Sequence, residues 1–168
     1  GGGANNYAGG GAGWSTVGGG MGNWATGSYA TVAGGTDNRA MAYGFVGGGD
    51  NNRMGASSTY GTISGGQDNV LEAGSTYNAI GGGIGNYVTA SYNVIGGGVS
   101  NTLFAPYSSI AGGWKNFCQG QYGAIGGGGS NVVDGIYSAI AGGWRDPATG
   151  RTITHLAARL TRRGPAPR

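Results

Sequence analysis

Apolar and polar positions along this chain come in short bursts that return after 14 to 17 residues. One series is β-branched: Val17, Val32, Val46, Ile63, Ile80, Ile95, Ile110, Ile125 and Ile140. A second is apolar or small: Ala8, Ala25, Ala40, Met54, Leu71, Val88, Leu103, Cys118 and Val133. Two residues beyond each member of this second series stands Ala or Gly, as in Ala42, Ala90, Ala105 and Gly120. The residue between them varies freely: Glu72, Thr89, Phe104, Gln119, Asp134. One constrained face and one free face at period two is the mark of a strand. Each unit therefore predicts two short strands. The first starts at an aromatic three residues before the Val/Ile: Trp14, Tyr29, Tyr43, Tyr60, Tyr77, Tyr92, Tyr107, Tyr122 and Tyr137. Because strand side chains alternate faces, the aromatic and the Val/Ile point opposite ways, and the Val/Ile ladder is the candidate core. A small residue, such as Ser108, Gly123 or Ser138, lies between them on the core face.

The second strand starts at an asparagine that follows a glycine cluster. Asn6, Asn23, Asn38, Asn52, Asn69, Asn86, Asn101, Asn116 and Asn131 keep phase through insertions of two residues, and Asp146 continues the series. That makes ten copies, the first and last incomplete. The expected fold is all-β: a parallel β-solenoid of about ten coils, about 48 Å long at about 4.8 Å per coil. The glycine doublet turns the corner between strands, where φ > 0 is needed. The asparagines are expected to stack as a structural ladder between coils, with a ligand-binding row as the alternative. A helical fold is excluded, since each interior glycine would cost about 1 kcal/mol relative to Ala. Polyproline-II bundles need Gly at every third position, whereas most of these 43 glycines are clustered.

Charge is sparse and segregated. Residues 1–144 carry Arg39, Arg53 and Lys115 against five acids, a net charge of −2, while residues 145–168 carry six arginines against Asp146. The basic balance belongs to the tail, so the body is not expected to bind nucleic acid. The sole cysteine, Cys118, excludes an internal disulfide and sits at an inward strand position. The sole histidine, His155, excludes histidine-based triads and His-rich metal sites from the repeats. Gly47-Gly48-Gly49-Asp50 faintly matches a calcium-binding repeat, but neighbouring copies do not keep the Asp. No carboxylate pair recurs, so no enzymatic activity, cofactor or metal is expected. There is no apolar run long enough for a membrane span. The chain opens on Gly1-Gly2-Gly3 with no Met and no signal peptide, as a processed chain or a fragment would.

Residues 1–146 are expected to form the solenoid domain and 147–168 a basic tail. Within the tail, Thr152 to Pro165 predicts a short helix, N-capped by Thr152 or Thr154 and ended by Gly164-Pro165. Ile153, Leu156 and Leu160 have the spacing of the first a/d positions of a coiled coil. The helix is expected to cap the solenoid, to begin a trimeric stalk or to dock on an acidic partner.

The unit Tyr137-Ser138-Ala139-Ile140-Ala141-Gly142-Gly143-Trp144, with its Asn-x-x-x-Gly neighbour, resembles the head repeats of trimeric autotransporter adhesins. The resemblance covers roughly residues 1–146 and is one of pattern. This chain adds an aromatic before the Ser, and has Gly-Gly and Asn where that family has one Gly and Ser. The resemblance implies a left-handed β-roll with three chains side by side on a cell surface. Similar Gly-Gly/Asn repeats look like parts of phage tail fibres and other bacterial surface fibres.

A coil with one Val/Ile and one further apolar residue has a thin core for about 15 ordered residues. Nine outward aromatics in line form a stripe that monomers rarely expose. Burial between protomers is therefore expected, as a homotrimer or as a filament stacked through its uncapped first coil. Tyr–Tyr stacking along a wet face is the simpler alternative. Three roles fit such a rod: an extracellular structural or adhesive fibre meeting a host protein or glycan; a phage or virus fibre on the virion; or a glycan- or ice-binding solenoid. Ice binding wants a regular Thr row, and Thr16, Thr31 and Thr62 give way to Ala79, Val94 and Ser109. Trp114, Trp144 and the tyrosines are the glycan-binding candidates.

Overall fold

The computed structural model describes residues 2–10 and 13–150 together with the strand Thr154–His155. They form a parallel β-solenoid of about nine turns with no helix among the described residues. Most of the expected tail helix over 152–165 lies outside the described residues. Thr154–His155 is a strand that pairs with Ala139–Ile140. Pairing also carries on past Asp146 through Pro147–Ala148, which continues the ladder from Val132–Val133.

Each coil contributes one short strand to each of two ten-stranded parallel sheets. One sheet is built from the strand after each asparagine, such as Tyr87–Val88 and Thr102–Leu103 in direct register. The other holds the Val/Ile strands, such as Ala79–Ile80, Val94–Ile95 and Ser109–Ile110. A third line of parallel contact runs along single bridges, from Ala4 through Met21, Ile84, Val99 and Trp114 to Trp144. It follows the glycine turn and was not visible as a strand in the sequence, because one residue per coil leaves no period-two trace.

The two apolar series meet inside. Val32 to Ile140 in the first series are buried, as are Ala25 to Val133 in the second, and Ala148 extends it. Val17, near the first coil, is only half-buried against them. Bulk is traded within a layer. Met54 and Leu71 occupy space beside Gly44 and Gly61, where an added Cβ would collide with their side chains. This is the interdigitation that close-packed interiors require.

The distance along the chain from each Val/Ile to the next member of the second series is always eight residues, from Val17–Ala25 to Ile140–Ala148. The return distance varies from six (Ala40 to Val46) to nine (Leu71 to Ile80). Every insertion therefore falls at the corner that carries the aromatic, and the glycine–asparagine corner is constant.

The aromatic itself stands differently from the sequence pattern. The Val/Ile strands begin two residues after it, and the aromatic is a corner residue in left-handed conformation, with φ of 56° to 63° in all nine cases. Its exposure is thus set by the corner and not by strand alternation. A bulky residue at positive φ costs about 1–3 kcal/mol and persists only where its surroundings enforce it. The enforcing contact is an inter-coil hydrogen bond: Tyr92 N–H donates to Thr76 O at 3.0 Å, and Tyr77 N–H to Thr59 O at 3.1 Å.

Cys118 is buried in the core, and burial pushes its thiol above the ordinary cysteine range, opposed in part by contacts to Ser108 and the Gly120 carbonyl. At mildly alkaline pH the folded chain should therefore resist alkylation by iodoacetamide and react on unfolding; rapid labelling of the folded form would refute the placement. Ile110→Asp should cost about 4 kcal/mol or more by burying an unpaired charge. Thermal unfolding followed by circular dichroism should show no parent-like transition, and a variant as heat-resistant as the parent would mean that Ile110 does not face the core.

Candidate functional site

Three exposed or polar features stand out on this scaffold: the asparagine ladder, the aromatic ladder and a charged depression on the asparagine-side sheet. The glycine turn places the asparagines. The glycine three residues before the asparagine has positive φ, 90° at Gly83 and 93° at Gly98, and a Cβ there would strike the carbonyl of the corresponding glycine one coil on. The residue just before the asparagine is left-handed too, for example Gly85 at 64° and Ser100 at 56°. This double reversal turns the asparagine side chain inward.

Asn23, Asn38, Asn52, Asn69, Asn86, Asn101, Asn116 and Asn131 are fully buried. The Nδ2 of Asn86 donates to Gly82 O at 2.9 Å and to Gly98 O at 3.0 Å, and its Oδ1 accepts from both N–H and Nδ2 of Asn101 at 3.1 Å. The same pattern runs from Asn23 through Asn69. Asp146 closes it by giving its N–H to Asn131 Oδ1 at 3.0 Å. Amide hydrogens and oxygens are consumed within the chain, so the ladder holds coils together and offers no ligand row.

A second polar ladder, missed in the sequence, occupies the inner position after the aromatic. Asn78 Oδ1 accepts Asn93 N–H at 2.9 Å, and Asn93 Oδ1 accepts Ser108 N–H at 2.8 Å. Asn78 Nδ2 is buried without a partner. The signal was the change from Ala30, Gly44 and Gly61 to Asn78 and Asn93 at one repeat position.

The nine aromatics from Trp14 to Tyr137 form one continuous stack. Ring centroids lie 4.7 to 5.2 Å apart, with interplanar angles of 1° to 20°. From Tyr29 to Tyr122 each ring stays 42–50 % exposed, so one edge of the column is open. Trp114 and Trp144 lie on a different line, two coils apart, and stack at 5.4 Å across Gly129, with Lys115 over the Trp114 ring.

The third feature lies on the outer face of the asparagine-side sheet. The residues that follow Asn23, Asn38 and Asn52 are Trp24, Arg39 and Arg53, directly paired in register. With Gly22, Asp37 and Asn38 they line a depression of about 270 Å3. A second hollow of about 390 Å3 runs over Val94, Ser109 and Ala124 of the other sheet. On the same face as Trp24, Tyr87 donates its hydroxyl to Glu72, which with the Ala73 N–H holds that carboxyl below its usual range.

Among the described residues no group of three or more His, Cys, Asp or Glu side chains could hold a metal ion, and no helix is long and apolar enough to cross a membrane. No family model matches the chain, and no curated protein matches it either.

Asn86→Ala strips the donor from Gly82 O and Gly98 O and the acceptor from Asn101 N–H. At about 1–3 kcal/mol for each buried group left unsatisfied, it should cost about 3 kcal/mol or more. Asn6→Ala, at the half-buried end of the ladder, should cost markedly less. Chemical denaturation of both variants tests this, and equal losses would show that the ladder is not a cooperative interior element.

Proposed function

We propose that this chain is a segment of a non-enzymatic structural or adhesive fibre, displayed outside a cell, and that copies associate laterally along the aromatic column, as a homotrimer. One observation carries the reading: nine stacked rings form an unbroken, half-exposed apolar edge along the rod. Single soluble chains rarely leave so large a contiguous apolar strip in water. Covering it would bury aromatic surface without new side-chain ordering, because the rings are already fixed by their neighbours. The thin core points the same way. The resemblance of the repeat pattern to trimeric autotransporter heads favours three chains over two. The polar interior also fits a passive rod, since its amides bind one another. A tail fibre of a phage is the same physical object in another setting, and the particle that carries the chain distinguishes the two.

Native mass spectrometry of the chain should give a trimer. Tyr92→Lys with Tyr107→Lys places two adjacent cations in the middle of the column and should shift the mass to that of a monomer, while circular dichroism keeps the solenoid signature. A stable parent monomer with solvated tyrosines would refute lateral association.

A further inference from the structure

We infer that Trp24, Arg39 and Arg53 form a binding site for an acidic sugar, with the pyranose ring on the indole and its carboxylate or sulfate between the two guanidinium groups.

The body of the chain, residues 1–144, carries only three basic residues. Two of them, Arg39 and Arg53, stand directly opposite each other on neighbouring parallel strands. Like charges in that relation oppose strand pairing. Neither guanidinium makes an ion pair or a side-chain hydrogen bond among the described residues; Arg53 influences Glu72 only through its field. Two planar forks one coil apart, neither held in an ion pair, suit a bidentate oxyanion, which would relieve their repulsion.

The neighbouring rail position supplies the second half of the site. Trp24 pairs in register with Arg39 and is 50 % exposed, and its other neighbour, Tyr7, leans on it at 5.4 Å. Indole faces bind the apolar face of a sugar ring, and a pyranose is about one coil step across. Asp37 forms the wall at the corner, its carboxylate lying over Gly22, where any side chain would collide with it. Asp37 accepts hydrogen bonds from sugar hydroxyls on the tryptophan side, and the two arginines leave the depression with a net positive charge. The site lies on the outer face of the asparagine-side sheet, beside the glycine corner and not at the aromatic one, so it stands whether or not the aromatic column is covered.

The test is calorimetric titration of the chain with trigalacturonate, with its methyl ester and with a 6-sulfated galactose trisaccharide. The acidic probes should bind, and the neutral ester should bind at least about tenfold more weakly, the loss expected for one charge-assisted contact. Arg39→Ala and Arg53→Ala should each weaken the acidic probe by about tenfold or more, and added salt should do the same. Both arginines are exposed, so the variants should melt at or above the parent temperature. Whichever acidic probe binds more tightly names the anion as carboxylate or sulfate. No binding of either acidic probe, equal binding of the ester, or unchanged affinity in the arginine variants would each overturn the assignment. Unchanged affinity in Trp24→Ala would overturn it too, since the site would then take an anion without reading a sugar.

Discussion

The buried asparagine amide is the constraint on which the rest of the rod depends. It bonds at once to its own glycine corner, to the glycine corner of the next coil and to the next asparagine. Those bonds can form together only if the corner has the same backbone in every coil. The constant eight-residue path from Val/Ile to the second core series is the covalent expression of that demand. Because all the amides point the same way along the axis, each bond polarises its neighbours in the sense that strengthens them.

With one corner held, the other is released. The aromatic corner takes every insertion, yet the rings still stack, because the stack needs only that each coil re-enter at the same height. The left-handed tyrosines are strained locally and restrained by both the inter-coil hydrogen bond and the ring column. Ring stacking of about 0.5–1.5 kcal/mol per pair is of the same order as the strain, so the column helps hold the conformation that creates it.

Much of this was legible in the sequence. Val32 to Ile140 and Asn23 to Asn131 keep phase over so many copies that two strands per coil follow from periodicity alone. The left-handed aromatic was not legible, since a tyrosine before a Val/Ile strand looks like a strand residue unless φ is known. The single-bridge line through Ile84 and Val99 returns once per coil but has no period-two alternation to mark it as a strand. The inner amides Asn78 and Asn93 share a repeat position with Ala30, Gly44, Gly61 and Gly123, which masks them. The Trp24–Arg39–Arg53 rail lies 14 and 15 residues apart in sequence and becomes adjacent only when the coils are laid one over another. Its signal was present: all three residues directly follow a ladder asparagine.

The invariant corner has one further consequence. Since every coil offers the next an equivalent interface, a coil removed or copied between two matching points of the repeat leaves no mismatched seam. In-frame duplication or loss of one unit of the coding sequence would then change the length of the rod without disturbing the rest. A lineage carrying such a chain can adjust its reach by recombination between repeats, and each new coil arrives with its outward positions free to diverge.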